Sequence, residues 1–118
     1  MGTGKALSWL VALAGLWEVI APFVLGYTSG TAEYNAIIVG IVLIILGVWS
    51  ALSNDAGTDR TLNWVNALIG LWLVLSPFIL GFSGFVTAMT NAIIVGVIVI
   101  ILAVWAAVQF RSPTPHPM

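Results

Sequence analysis

The chain has 118 residues and a mean hydropathy of +1.15, with 61 % hydrophobic and only 6 % charged side chains. So few charges cannot cover four long apolar runs in water, so lipid is the expected solvent. The net charge of −1 offers no basic footprint for nucleic acid, and the lack of cysteine excludes disulfides, thiol chemistry and cysteine-ligated metals.

The apolar runs cover roughly 7–26, 36–52, 63–82 and 92–110. Each is close to the ~20 residues that cross a ~30 Å hydrocarbon core as a helix. No run alternates with period two, which argues against a barrel. Lys5 before the first run raises the question of a signal peptide. That run has a full counterpart in mid-chain, so it is read as a mature helix.

The counterpart belongs to an internal repeat. Trp9–Tyr34 aligns with Trp64–Met89 at an offset of 55, and Asn35–Leu52 with Asn91–Val108 at an offset of 56 after the inserted Thr90. Asn35-Ala36-Ile37-Ile38-Val39-Gly40 recurs unchanged from Asn91 to Gly96, and Gly15-Leu16-Trp17 recurs as Gly70-Leu71-Trp72. About half of the aligned positions are identical. With two spans per repeat, both copies enter the membrane from the same side, unlike the inverted repeats of many transporters. The expected fold is all-α: a single polytopic domain of four transmembrane helices in two parallel-duplicated helical hairpins. Repeat one covers 7–52, a polar loop 53–61, repeat two 62–110, and a disordered Pro-rich tail 111–118 contains His116.

Along the first run, Glu18 is the one ionisable residue deep inside a helix, near the bilayer midplane. Ala14, Gly15, Ala21 and Pro22 share its helical face, whereas Leu13, Leu16, Ile20 and Phe23 lie opposite. Small residues permit close helix approach, so the Glu18 face is expected to be packed. By depth, Ser76 and Trp72 are its candidate partners, with Asn66 about 10 Å nearer the other end. One reading makes Glu18 a proton or cation site. The favoured reading makes it a buried acid that donates one structural hydrogen bond. Its counterpart in repeat two is Leu73.

Pro22 and Pro77 are expected to kink their helices, because each frees the carbonyl four residues earlier. Gly15, Gly40, Gly47, Gly70 and Gly96 are expected at helix–helix contacts. Asn35 and Asn91 stand where the second and fourth runs start and are read as N-caps. Asp55 and Asp59 are read as solvated residues that cap the third helix.

Lys5, Arg60 and Arg111 all fall on one side, and the loops Tyr27–Tyr34 and Ser83–Thr90 carry no Lys or Arg. The positive-inside rule then places both termini in the cytoplasm. Trp9, Trp49, Trp64 and Trp105 form an interfacial belt on that side, and Tyr27, Tyr34, Phe82 and Phe85 mark the other face.

These blocks, with Ser76-Pro77-Phe78, resemble the SPW-repeat integral membrane proteins, named for a Ser-Pro-Trp motif. Here the triplets read Ala21-Pro22-Phe23 and Ser76-Pro77-Phe78, with Phe in place of Trp. The resemblance spans both repeats. It implies a duplicated two-helix membrane unit and no established activity, ligand or cofactor.

No metal-ligand cluster, nucleophile–base pair, phosphate loop or dinucleotide motif is found in the sequence, so no enzyme activity and no cofactor are expected. The expected role is structural or accessory: a helix-packing subunit in the cell membrane of a prokaryote, with lipid, other membrane subunits or a second copy as partners. The alternative is a small proton or cation conductor, or a transporter, that uses Glu18 in an oligomer.

Overall fold

A computed structural model describes residues 3–27 and 30–109. The tail at 111–118, with Arg111 and His116, lies outside the described residues. Four helices follow in chain order: α1 (Thr3–Leu25), α2 (Gly30–Leu52), α3 (Ala56–Ile79) and α4 (Val86–Gln109). All four are long and apolar enough to cross a membrane.

Each helix exceeds its apolar run at the N-terminal side. Hydropathy marks only the hydrocarbon crossing, and helices continue into the headgroup layer, where polar side chains are tolerated. The expected loop 53–61 therefore shrinks to Ser53–Asp55, because α3 already begins at Ala56. Asp55 caps it: its backbone is extended and its carboxylate accepts from the Gly57 N–H at 3.2 Å and the Thr58 hydroxyl at 2.7 Å. Those hydrogen bonds hold the exposed Asp55 carboxyl below its ordinary pKa.

The N-cap reading of Asn35 and Asn91 is corrected. Glycine at position 30 starts α2 and Val86 starts α4, so both asparagines sit one to two turns inside their helices.

Two glycines with positive φ end the outgoing helices, Gly26 at 67° and Gly81 at 80°. After Gly26, the Tyr27 N–H reaches back to the Pro22 carbonyl at 3.0 Å, a Schellman closure. Pro22 and Pro77 both lie within continuous helices and are buried.

α1 pairs with α2 and α3 with α4, giving two hairpins. The hairpins join along α1–α4 and α2–α3, leaving α1/α3 and α2/α4 on the diagonals of the bundle. Equivalent glycine contacts recur in the two hairpins, as a parallel duplication requires. The helices of each hairpin touch at glycine. A Cβ on Gly40 would stand 2.6 Å from the Gly15 carbonyl oxygen, and one on Gly96 would stand 2.6 Å from that of Gly70. Gly47 packs on Ala12, and a Cβ there would lie 2.8 Å from its backbone nitrogen. At such distances only hydrogen fits, which lets dispersion contacts run the length of each pair.

The bundle axis is filled by Val11, Val39, Leu43, Ala67, Leu73, Val95, Val99 and Ala103. The outward faces carry Leu13, Ile45, Leu68 and Ile101, each more than half exposed, as a lipid-facing surface requires. Phe82 lies at the end of the bundle where the hairpins turn, on the face it was expected to mark, and is buried there against Ala32, Ala88 and Ala92.

Candidate functional site

Polar side chains collect inside the bundle at two levels, one toward the hairpin turns and one toward Lys5. Near the turns the centre is Asn91. Its amide oxygen accepts from the Trp17 indole N–H at 2.8 Å. Its amide nitrogen donates to Glu18 Oε1 at 2.8 Å and to the Tyr27 hydroxyl oxygen at 2.7 Å. Every hydrogen-bonding group of this amide that faces the protein is therefore engaged by α1 or the turn after it.

The symmetry-related half is built the same way. Trp72 donates its indole N–H to the Asn35 amide oxygen at 2.9 Å. Asn35 in turn donates to the Ser76 hydroxyl at 3.1 Å, and that hydroxyl donates to the Leu73 carbonyl at 2.9 Å. The Leu73 carbonyl is the one that Pro77 deprives of its helical partner, so Ser76 fills a gap that proline opens.

The two halves are reciprocal. The tryptophan of each repeat bonds the asparagine of the other, and together they tie the hairpins across both seams. They differ in what surrounds the asparagine. Repeat one supplies Glu18 and Tyr27 where repeat two has Leu73 and Phe82, and repeat two supplies Ser76 where repeat one has Ala21. An amide N–H₂ buried in an apolar setting needs an acceptor, and each half provides one by a different substitution.

This arrangement corrects the expected pairing of Glu18. Ser76 and Trp72 lie at the right depth but belong to the other half-site, with Asn35. Glu18 is 1 % exposed and is held by Asn91. Ala21 and Pro22 are buried beside it, while Leu13 and Phe23 face outward at 58 % and 69 % exposure. Tyr27 lies beyond the spanning segment and lines a depression of about 210 Å³ with Gly26, Phe85 and Thr87. Burial, with the Glu18 carboxyl nearby, pushes its pKa up to about 12 against the lowering effect of the Asn91 hydrogen bond.

At the opposite end, Lys5 reaches from α1 across the bundle. Its ammonium donates to Asp59 Oδ2 and the Ser50 carbonyl, both at 2.7 Å, and to the Ser53 carbonyl. It thus ties α1 to the C-terminal carbonyls of α2 and to the first turn of α3, where a cation suits a helix C-terminus. Asp59 is 1 % exposed, so its reading as a solvated loop residue is corrected. Beneath it, Asn63 donates to the Asp59 carbonyl at 2.8 Å and to the Ser50 hydroxyl at 3.0 Å. Ser8 and Ser50 share a hydrogen bond of 3.0 Å. Asn66 is fully buried one turn deeper and bonds neither Glu18 nor any other group among the described residues.

Between the two levels the axis is apolar. Leu43 and Val99 are fully buried there.

Sequence reasoning by depth alone missed Asn35, Asn91, Trp17 and Tyr27. A signal was present: Trp and Asn are the polar identities that recur at matching positions in both repeats. Among the described residues no group of three or more His, Asp or Glu side chains could hold a metal ion.

The SPW repeat domain family matches residues 5–106. No curated protein and no solved structure matches the chain. The match takes in both hairpins and both polar levels, and the chain belongs to the SPW repeat domain family as an integral membrane protein of four helices.

Proposed function

We propose that the protein is a structural or accessory membrane subunit that works by helix packing, without enzymatic activity and without conducting ions on its own. The observation that carries this reading is the apolar layer of Leu43 and Val99 between the two polar levels. A conducting path through one chain would have to cross it. The polar side chains near the turns also bond one another across the hairpin seams, which is what a rigid packing unit needs.

The alternative, conduction by Glu18 in an oligomer, is disfavoured by where Glu18 points. It faces Asn91 inside its own bundle, at 1 % exposure, so neighbouring copies would not bring their Glu18 side chains together. In the favoured reading the bundle sits in a prokaryotic cell membrane with Lys5 and Arg60 on the cytoplasmic side. Its surroundings are lipid and other membrane subunits or a second copy.

Two measurements test the proposal. Purification in mild detergent, followed by mass spectrometry of the intact assembly, should show the chain bound to another membrane protein or to itself. Liposomes containing the purified protein should acidify no faster than empty ones under a proton gradient. Proton flux that disappears in Glu18→Gln would overturn the reading in favour of a conductor.

A further inference from the structure

Among the described residues, four buried side-chain atoms at the Lys5 end have no hydrogen-bond partner: Asp59 Oδ1, Asn63 Oδ1, and both Nδ2 and Oδ1 of Asn66. Their residues are 1 %, 0 % and 0 % exposed. All three lie on one face of α3 at positions i, i+4 and i+7, which stacks them along the bundle axis. A buried polar atom without a partner destabilises a fold, the more so inside a membrane-spanning bundle. Four of them on one face call for an occupant.

The geometry points to a file of internal water that enters at the Lys5 end, runs from Asp59 past Asn63 to Asn66, and stops at the apolar layer. The donor and acceptor inventory selects water over a cation. Asp59 Oδ1, Asn63 Oδ1 and Asn66 Oδ1 need donors, whereas Asn66 Nδ2 needs an acceptor, and water supplies both. A bare cation would leave Asn66 Nδ2 unsatisfied. It would also meet a carboxylate already neutralised by Lys5 at 2.7 Å. The rise along α3 is ~6 Å from Asp59 to Asn63 and ~4.5 Å from Asn63 to Asn66, so roughly one water bridges each gap.

The repeat explains why the protein offers no internal partner. The counterpart of Asn66 is Val11, fully buried at the same depth on α1. At this position repeat two is polar where repeat one is apolar, and the Asn66 amide is left to solvent. The file would make the Lys5 half of the bundle a one-sided hydrated vestibule. This goes beyond the packing role and is independent of it.

The chain has five asparagines, at 35, 54, 63, 66 and 91, so selective ¹⁵N-Asn labelling of the deuterated protein in nanodiscs gives a readable side-chain spectrum. Asn63 and Asn66 amides should show magnetisation transfer from water, with the Asn66 signal assigned by its loss in Asn66→Val. No transfer from water at Asn66 would overturn the proposal. Resonances of Asn63 and Asn66 that shift when Na⁺ is replaced by N-methylglucamine would overturn it in favour of a cation site; unchanged resonances support water. The native chain has no cysteine, so single-cysteine variants give a second readout. Alkylation of Asn66→Cys should be at least ~10-fold faster than of Val99→Cys, because thiolate forms only where water reaches. Equal rates would contradict the vestibule. Should Asn66→Cys fail to fold, the spectrum of the wild-type chain decides.

Discussion

Asn91 and Asn35 hold equivalent places in the two repeats but carry different loads. Asn91 serves Trp17, Glu18 and Tyr27, whereas Asn35 serves Trp72 and Ser76. Hydrogen bonds between membrane helices contribute about 0.6 kcal/mol each, and groups left unsatisfied in the interior add to the loss. Asn91→Ala should therefore destabilise the bundle by about 2–3 kcal/mol and Asn35→Ala by about 1–2 kcal/mol, read from unfolding in mixed micelles. Equal losses would show that the extra bonds to Glu18 and Tyr27 contribute nothing. Glu18→Gln keeps an acceptor for Asn91 and should change stability by less than about 0.5 kcal/mol, whereas Glu18→Leu removes it and should cost about 1 kcal/mol. The residual Tyr27 bond accounts for the modest size of that effect. Tyr27 itself has a pH signature. Its pKa is raised to about 12 in the folded protein, so the neutral phenol is the favoured form. The stability this represents is fully present below the unfolded tyrosine value of about 10 and is lost as pH rises toward the folded value. In a Tyr34→Phe background, tyrosinate absorbance should rise only near pH 12 in the folded state, and alkaline unfolding should accompany it. A tyrosine titrating near pH 10 while the protein is still folded would contradict the burial of Tyr27 beside Glu18.

At the scale of helices, the glycine contacts decide how closely each hairpin closes. A Cβ on Gly15 would meet the Gly40 carbonyl oxygen at 2.7 Å, the Leu43 Cβ at 2.8 Å and the Ile44 nitrogen at 2.9 Å. Two of these three atoms are backbone and cannot swing aside. Gly15→Ala should therefore push α1 from α2 and destabilise by about 1–3 kcal/mol. Gly84→Ala is the natural control, since nothing lies within 4 Å of its position. A Gly15→Ala protein that unfolds at the wild-type temperature would contradict the close crossing. The helix ends follow local chemistry: the Asp55 carboxylate caps α3, and Gly26 and Gly81 turn the chain out of α1 and α3. As pH falls through the lowered pKa of Asp55, the cap loses its charged acceptor. Its contribution is present above the unfolded value and fades in acid.

The whole molecule joins two similar hairpins by dissimilar ends. Near the turns the join is reciprocal and made by tryptophan and asparagine. At the other end Lys5, Asp59, Asn63, Ser8 and Ser50 make it from residues that the repeat does not duplicate. Orientation in the membrane belongs to this scale. Lys5 and Arg60 lie at one end and the hairpin turns at the other, so that end should be cytoplasmic. A cysteine placed by Thr58→Cys should resist an impermeant reagent in intact cells and react after lysis. Labelling in intact cells would reverse the assignment.

The sequence by itself determined the class, the span count and the parallel duplication. Those follow from hydropathy and from identities between repeats, which are local properties of the chain. It also marked the glycines and prolines, because their backbone chemistry is independent of neighbours. Partners were decided only by the tertiary structure. Depth along a helix placed Ser76 and Trp72 beside Glu18, but depth says nothing about which of the two seams a side chain enters. The bundle sends Ser76 and Trp72 to the α2–α3 seam and Glu18 to the α1–α4 seam, where Asn91 waits. Asp59 was misplaced for a related reason. Polarity suggested water, whereas helix rotation turned it into the bundle, where burial is set by neighbours distant in sequence.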